Sequence, residues 1–396
     1  MRAANELSWP KRLLFAAAAF VLFFGGLELA LRALGAGKVD ADPFVGFAAT
    51  VPLYVERDGW METNPSKALW FNQQRFEKKK PAGVVRIFTL GGSTTYGRPY
   101  DDVASFSGWL RELLGEVDPA KTYEVINAGG VSYASYRVAA VMEELLAYEP
   151  DIFVVYTGHN EFLERRTYSS LLAAPRWTLA LGGLLERTAI FRAGRELLSP
   201  PAPKAILPAE VDTVLDNSAG PERYHRDDPL ASAVTEHFER NLQRMTELAR
   251  RAGAHILFVT PAASLRNCSP FKSEGPAERD ASVWYARGEK LYAAGDYAEA
   301  RRAYERALDE DVCPLRAISA IREAVRHVHA PVLDFERILA EKSEHGVPGD
   351  DWFVDHVHLS EAGYRLLGVQ ILEKLQQEGW ADGGAPNEAQ LAQAGE

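Results

Sequence analysis

A serine directly follows an apolar run in the segment VVRIFTLGGSTTYG, residues 84–97. Residues 84–90 are mainly β-branched and apolar, which predicts a buried strand. The strand is expected to end at Gly91-Gly92, because only a residue with little or no side chain allows so sharp a turn and exposes the next backbone amide. Ser93 is therefore predicted at the carboxyl end of a strand, where open α/β sheets bind ligands. On this segment alone, a capping serine in an ordinary turn is the simpler interpretation.

A base and an acid for this serine occur near the C-terminus, in DWFVDHVHLSEAG, residues 351–363. A serine nucleophile needs a base, and that base needs an acceptor that orients it. Asp355 and His358 are three residues apart, so both side chains can reach one pocket from a single turn. The carboxylate can then accept from one ring nitrogen while the other nitrogen faces Ser93.

Two further blocks can donate to the oxyanion that forms when a serine attacks a carbonyl. NAGGVSYAS covers residues 127–135 and TGHNE covers residues 157–161, and each follows a predicted strand. Preorganised donors stabilise the charge of the tetrahedral intermediate. The predicted donors are the Ser93 amide, a backbone amide of the first block and the Asn160 side chain.

Short apolar runs alternate with amphipathic helices along the rest of the chain. The predicted strands are Val84–Leu90, Tyr123–Asn127, Ile152–Thr157, His255–Thr260 and Pro331–Asp334. The predicted helices are Phe106–Gly115, Tyr136–Ala147, Ala231–Ala252 and Ser360–Gln377. This alternation predicts an α/β fold with a parallel sheet covered by helices on both faces.

The composition bounds the class of protein. The chain has 396 residues, of which 47% are hydrophobic and 25% charged, enough for two domains or one large domain with insertions. The net charge is −11, and Lys and Arg are not gathered into a phosphate-binding stripe, which argues against nucleic acid as a partner.

The N-terminus is typical of a membrane segment. Residues 13–31 are almost entirely apolar, close to the roughly 20 residues that a spanning helix needs. Arg2, Lys11 and Arg12 precede them, so the positive-inside rule places the N-terminus in the cytoplasm. Residues 1–36 are therefore predicted to be an uncleaved single-pass anchor in the cytoplasmic (inner) membrane, with the remaining chain extracytoplasmic, or periplasmic. A signal peptide cleaved near residues 35–37 is the alternative.

Two insertions interrupt the alternation of strands and helices. Residues 162–230 combine apolar and Pro-rich sequence, and a helical pair packed on the domain is favoured over a lid or a surface lying on the membrane. The second insertion, residues 271–311, resembles a single tetratricopeptide repeat. That resemblance rests on Trp284, Gly288, Gly295, Tyr297, Ala300, Tyr304 and Ala307, which fall in the family's register. A lone repeat cannot bury both its faces, so residues 284–311 are expected to dock on the main domain or on a protein partner.

The chain has two cysteines, Cys268 and Cys313, and they flank this insertion. A helical hairpin brings its ends together, so we expect a Cys268–Cys313 disulfide at its base in an exported domain. Residues 37–270 and 312–380 would form the main domain, and 381–396 a disordered tail.

The motifs together resemble the SGNH hydrolases, also called the GDSL esterase/lipase family. That pattern has a Ser after the first strand, a Gly after the second, an Asn in a G-x-N-D block after the third and D-x-x-H near the C-terminus. Ser93, Asn160, Asp355 and His358 match in order and placement over roughly residues 84–380. The resemblance implies a three-layer, flavodoxin-like, five-stranded parallel sheet.

This chain departs from the family pattern at three positions. Gly92 replaces the Asp of G-D-S, a tolerable change because that Asp is not the nucleophile, and Glu161 replaces the Asp of G-x-N-D. Counted from Asn127, the family's oxyanion glycine falls on Ser132. A serine still carries a backbone amide, so Ser132 is one predicted donor, and Gly130 is the other if the loop is shifted.

Together with the predicted N-terminal anchor, the resemblance implies a membrane-anchored serine esterase with Ser93 as nucleophile, His358 as base and Asp355 as orienting acid. It needs no cofactor, and the H-x-H pairs at 327–329 and 356–358 are not expected to bind metal. The expected substrates are acyl esters, for example O-acetyl esters, of an envelope or exported glycan, or a lipid ester. The alternatives are an O-acyltransferase acting on a polysaccharide, and an inert scaffold that docks a partner through the repeat.

Overall fold

The computed structural model describes residues 8–33, 51–163, 188–190 and 224–395. Most of the predicted insertion at 162–230 lies outside the described residues, as does the alternative cleavage site at 35–37. The chain divides into two compact units, Met1–Val51 with Ser170–Ile206, and Pro52–Ser169 with Leu207–Glu396.

The first unit contains helix α1, Trp9–Ala33, which is long and apolar enough to cross a bilayer. A signal sequence has the same length and composition, so the predicted anchor stays a prediction. The carboxylate of Glu28 accepts hydrogen bonds from the amides of Ala189 (2.8 Å) and Ile190 (3.0 Å) and from Arg32 Nε (2.7 Å). The one acid of the predicted span is therefore hydrogen-bonded within this unit.

The described part of the second unit contains eight strands in two sheets. In chain order they are β1 Tyr54–Arg57, β2 Trp60–Thr63, β3 Arg75–Glu77, β4 Val84–Gly91, β5 Thr122–Gly129, β6 Ile152–Tyr156, β7 His255–Val259 and β8 Val332–Leu333. The first three form an antiparallel sheet, and the other five form a parallel sheet in the order β5-β4-β6-β7-β8. This is the flavodoxin-like order, so the predicted fold class is confirmed.

Ten helices are described in this unit. They are α2 Ser93–Tyr96, α3 Phe106–Val117, α4 Ser135–Leu145, α5 Asp228–Ala252, α6 Ala281–Ala293, α7 Tyr297–Glu310, α8 Ser319–Arg326, α9 Phe335–Lys342, α10 Glu361–Gln377 and α11 Glu388–Gln393. Helices α3 and α10 pack together on one face of the parallel sheet, and α5 packs with both α4 and α8. Alternate strand residues face opposite layers, and Ile87, Val154 and Leu257 join the core beneath α3 and α10.

Residues 51–77, to which the sequence pattern assigns no strand, contain β1 to β3. Strands β1 to β3 bury Tyr54, Met61 and Phe76 against the main domain. Tyr54 and Phe76 pack edge to face, and Phe76 packs in the same way on Phe88 of β4. Because each strand has only three or four residues, the sequence pattern was too short to reveal a period of two.

Helices α6 and α7 form the expected helical hairpin, which lies in the same compact unit as the parallel sheet. A Cβ at Gly288 would lie 2.7 Å from the Tyr304 ring, so the small residue is what lets the two helices approach. The buried alanines Ala300, Ala303 and Ala307 line the same helix. The assignment to the tetratricopeptide family and the predicted domain limits stay predictions.

Two predictions differ from the structure. Cys268 and Cys313 are both free thiols, so the expected disulfide is not formed. Buried polar groups hold the base of the hairpin instead: Arg316 donates to the carbonyls of Ser264 and Cys268, both at 2.9 Å, and lies 3.8 Å from the Asp311 carboxylate.

The tail predicted to be disordered contains helix α11. Asn387 caps this helix with a capping box, and Gln390 Nε2 donates to the Glu116 carbonyl at the end of α3 (2.9 Å). Leu391 packs against the core beneath α3 and α10. These few anchoring contacts were not visible as periodicity in so short and polar a segment.

Candidate active site

The carboxyl end of β4 is where the strand order of the parallel sheet reverses. Neighbours β5 and β6 end level with β4, since Gly91 is opposite both Gly129 and Tyr156. The loops that follow these three strands therefore meet at one edge, at the position where doubly wound sheets bind ligands. Ser93 is the first residue of α2 at this point and is 6% exposed.

A hydrogen-bonded chain joins Ser93 to the D-x-x-H turn. His358 Nε2 lies 2.7 Å from Ser93 Oγ, and His358 Nδ1 lies 2.6 Å from Asp355 Oδ2. A carboxylate can only accept, so Nδ1 carries the proton and Nε2 is the acceptor for the Ser93 hydroxyl. The structure thus brings together three of the predicted residues in the order that nucleophilic catalysis requires.

The D-x-x-H turn is held by its own residues. Asp355 Oδ1 accepts from the amides of Val357 (2.9 Å) and His358 (2.7 Å), so one carboxylate fixes both the turn and the imidazole. The Val354 amide donates to the His358 carbonyl at 3.0 Å, which closes the turn. The side chain of His358 is buried, whereas that of Asp355 keeps 41% of its exposure.

Opposing effects set the pKa of Asp355. Burial raises it, but the hydrogen bond and charge of His358, together with the charge of His356, outweigh burial and hold the pKa below its ordinary value. The carboxylate therefore stays ionised across the physiological range and can keep His358 in the required tautomer.

The loop after β5 contains two predicted donors, the amides of Gly130 and Ser132, and the structure distinguishes between them. The Gly130 amide donates to the Gly91 carbonyl at 3.0 Å, which extends the pairing of β4 and β5. Ser132 has φ of 62°, the left-handed region that favours glycine. Within the described part of the chain the Ser132 amide donates to no other residue. Ser132, at the family's glycine position, is thus the residue with a free amide.

The segment preceding β3 holds this loop from outside. The Val131 amide donates to the Trp70 carbonyl at 2.9 Å, and Phe71 pairs with Gly130 as an isolated bridge. The Phe71 ring meets the Tyr133 ring edge to face, with centroids 5.0 Å apart. This contribution was not predictable from the sequence, because nothing in a mixed polar and aromatic stretch indicates which loop it will pack against.

Asn160, which follows β6, contacts both neighbouring loops. Its Nδ2 donates to the Tyr133 carbonyl at 3.1 Å, which leaves the second amide hydrogen for another acceptor. A Cβ at Gly92 would lie 2.6 Å from the same Nδ2. The departure from the family's Asp at position 92 therefore leaves room for the Asn160 amide beside the nucleophile turn.

Glu161, the second departure, fastens the loop after β6 to the loop after β5. Its carboxylate is buried and accepts from the Ser135 amide (2.9 Å) and hydroxyl (2.7 Å) at the start of α4. A negative charge at a helix N-terminus is stabilised by the helix dipole. Asn241 of α5 donates to the same Ser135 hydroxyl at 2.9 Å. In the sequence alone this glutamate is only a departure from the family pattern.

His159 is 6% exposed and its Nδ1 accepts from the Ala317 amide at 3.2 Å. This partner is distant from His159 in the sequence. Burial, with the charges of His356 and His358, lowers the pKa of His159 to about 3. The ring is therefore neutral at physiological pH and joins the Asn160 loop to the segment that leaves the hairpin.

Among the described residues, no group of three or more His, Cys, Asp and Glu side chains is arranged to hold a metal ion. His356 instead packs edge to face on Phe271, with ring centroids 5.2 Å apart.

The sequence profile of the GDSL-like Lipase/Acylhydrolase family matches residues 89–366, which is more than half of the chain. No curated protein matched the chain.

Solved structures give weaker likenesses. An acetyl xylan esterase, AlAXEase, shares 13% identity and a TM-score of 0.39, covering 73% of this chain and 98% of that one. A catalytic mutant of an acetylxylan esterase from Geobacillus stearothermophilus shares 14% identity and a TM-score of 0.36, covering 74% and 94%. A lipase/acylhydrolase from Enterococcus faecalis shares 16% identity and a TM-score of 0.35, covering 76% and 99%.

Proposed function

Because the chain belongs to the GDSL-like lipase/acylhydrolase family and is an ester-cleaving hydrolase, we propose that Ser93 is its nucleophile, His358 its general base and Asp355 the acid that orients the base. The observation that carries this proposal is the continuous hydrogen-bonded chain from Asp355 Oδ2 through His358 to Ser93 Oγ.

In the first half-reaction Ser93 Oγ attacks the ester carbonyl while its proton passes to His358 Nε2. The new bond joins Oγ to the acyl carbon, and the bond from that carbon to the alcohol oxygen then breaks. His358 returns the proton to the departing alcohol. Water attacks the acyl-serine by the same route, which releases the carboxylic acid and restores Ser93. Asp355 stays ionised throughout and stabilises the imidazolium.

The proposed oxyanion donors are the amides of Ser93 and Ser132 and the Asn160 side chain. Their support is that both amides are free of other acceptors within the described residues, and that Asn160 keeps one amide hydrogen. Gly130, the alternative donor, is not proposed because its amide donates to Gly91. Donors that are fixed before the reaction stabilise the developing charge without a reorganisation cost.

The proposed substrates are acyl esters of an envelope or exported glycan, or of a lipid, met outside the cytoplasmic membrane. Helix α1 supports the location by its length and composition, and the basic residues before the apolar run support the orientation. Transfer of the acyl group to a sugar hydroxyl instead of water would use the same residues. The hydrogen-bonded chain makes an inert scaffold the poorer interpretation.

The test uses the full-length protein in mild detergent. A serine-directed phosphonate should label the wild type and Ser282→Ala, an exposed serine of the hairpin, but not Ser93→Ala. Turnover of p-nitrophenyl acetate should follow the same pattern, and adding a sugar acceptor shows whether transfer exceeds hydrolysis. Labelling or turnover that survives in Ser93→Ala would remove the assignment.

A further inference from the structure

A cavity of about 550 Å³ lies beside the D-x-x-H turn, on the side of the acid. One wall is the start of the hairpin insertion, with Asn267, Ser269 and Phe271, and the other is the loop with Asp350, Asp355 and His356. The size is within the range of about 300–1,000 Å³ that is usual for small-molecule sites. Neither Ser93 nor His358 lines this cavity, so the cavity is additional to the proposed reaction centre.

The two walls are joined to each other by two hydrogen bonds. Asn267 Oδ1 accepts from the Asp350 amide at 3.1 Å, and the Ser264 amide donates to the His356 carbonyl at 3.0 Å. The position of the insertion relative to the acid's loop is thus fixed by hydrogen bonds.

Phe271 is presented to the cavity by a buried acid. The Asp311 carboxylate accepts from the Phe271 amide at 2.8 Å and the Lys272 amide at 3.0 Å, and Arg316 lies 3.8 Å from it. The Phe271 ring packs edge to face on His356 yet stays 37% exposed. An aromatic ring that is fixed in place and still open to solvent is suited to contact with a ligand.

The lining decides what kind of ligand fits. An acyl chain would lie against the polar side chains of Asn267, Ser269 and Asp350 and would displace water from them without offering a hydrogen bond in return, which is unfavourable. The carboxylates of Asp350 and Asp355 disfavour an anionic ligand, since like charges brought together are repulsive. The lining matches a neutral molecule with hydroxyl groups around an apolar ring face, since its polar side chains can hydrogen-bond to hydroxyl groups and Phe271 can pack on the apolar face.

We propose that this cavity binds a sugar unit of the substrate, so that the ester cleaved at Ser93 is carried on an oligosaccharide. The inference rests on the proposed function and narrows its substrate class from glycan or lipid to glycan. The sugar's apolar face stacks on Phe271, and its hydroxyl groups reach Asn267, Ser269 and Asp350.

The cavity is close enough to Ser93 for one substrate to occupy both. Asp355 lines the cavity and is separated from Ser93 only by the hydrogen-bonded imidazole of His358. A chain of a few sugar units can therefore place an ester at Ser93 and a neighbouring unit against Phe271. A small ester with no sugar does not reach the cavity.

The experiment compares full-length wild type, Phe271→Ala, Phe271→Tyr and Tyr136→Ala in detergent. Tyr136 is an exposed aromatic of α4 at 44% exposure and does not line the cavity, so it is the matched control. The substrates are an O-acetylated xylotriose, p-nitrophenyl acetate and p-nitrophenyl laurate. Deacetylated xylotriose binding to Ser93→Ala, with and without Phe271→Ala, is measured by calorimetry.

Phe271→Ala should raise KM for the acetylated trisaccharide about tenfold and weaken trisaccharide binding equally, as expected for loss of one aromatic contact. Kinetics with p-nitrophenyl acetate should be unchanged, and Phe271→Tyr and Tyr136→Ala should resemble the wild type. An equal loss on all three substrates would overturn the inference in favour of a structural role. A loss confined to the laurate would overturn it in favour of an acyl chain. If p-nitrophenyl acetate is cleaved equally by Ser93→Ala, the proposed function itself fails.

Discussion

The D-x-x-H turn and the loop after β5 both contribute to the proposed reaction centre, but they are built in opposite ways. Asp355 fixes its own turn through the amides of Val357 and His358 and orients the imidazole with its second oxygen. The Ser132 loop makes few such internal bonds and is held by Trp70 and Glu161, which are distant in sequence.

This difference predicts how a substitution in each loop should affect activity and stability. A change in the D-x-x-H turn removes chemistry while the backbone around it stays in place. A change around Ser132 moves a donor whose own atoms are intact. Both loops act on the transition state, so a substitution in either loop should lower mainly kcat. The two loops should differ in how much stability such a substitution costs.

Asp355→Asn should have the largest effect, a fall in kcat of about 10⁴-fold. The amide can still accept from the two backbone amides, but it presents a donor to His358 Nδ1 and favours the wrong tautomer. Steady-state hydrolysis of p-nitrophenyl acetate measures the loss. Asp350→Asn, an exposed acid of the same segment at 71% side-chain exposure, should be nearly silent with this substrate. A fall in kcat of less than tenfold in Asp355→Asn would contradict the role of the Asp355 carboxylate in orienting His358.

Glu161→Ala should lower kcat by about 10- to 100-fold and cost about 2 kcal/mol of stability. The buried amide and hydroxyl of Ser135 lose their acceptor, and the Asn160 loop is released from the start of α4. Steady-state kinetics and thermal unfolding measure the two effects. The control is Glu143→Ala, an acid of α4 at 50% side-chain exposure. Loss of stability with kcat intact would show that the bond supports the fold and not the donor.

Substitutions of Ser132 test whether its backbone amide is an oxyanion donor. Ser132→Val should lose about 1–2 kcal/mol of stability and about tenfold in kcat, because a β-branched residue strongly disfavours φ near 62°. Ser132→Gly keeps the amide and accepts this φ, so its kcat should stay within about threefold of the wild type. Equal kcat in both variants would mean that the Ser132 amide is not a donor.

His159→Gln should have an effect on stability only in acid. His159 is neutral in the folded protein until its pKa of about 3, whereas the unfolded chain takes up the proton below about pH 6.5. Unfolding is therefore favoured increasingly as the pH falls from 6.5, by about 2 kcal/mol at pH 5. Glutamine can still accept from Ala317 and removes this penalty.

Thermal unfolding of the full-length protein at pH 7.5 and pH 5 measures the difference. The variant should match the wild type at the higher pH and lose less stability at the lower one. His327→Gln, a histidine at 78% side-chain exposure, is the control. A wild type and variant that respond identically to acid would mean that His159 is not kept neutral by burial.

Much of the fold was predictable because its strands are apolar runs separated by helices of regular period. The predicted strand at 84–90 is observed as Val84–Gly91, and the predicted helix Ser360–Gln377 as Glu361–Gln377. The elements that were missed are short or polar: β1 to β3, α8, α9 and α11. Their stability comes from contacts with distant residues, and such contacts leave no periodic pattern in the sequence.

The sequence by itself determined what is local: the strand that ends before Ser93, the three-residue spacing of Asp355 and His358, and the apolar run of α1. Only the tertiary structure decided which amide of the β5 loop is free, what Glu161 holds and how the insertion completes a cavity beside the acid. The spacing of two residues in the sequence determines whether their side chains can meet within one turn of the chain. The meeting of two loops depends on how whole layers pack.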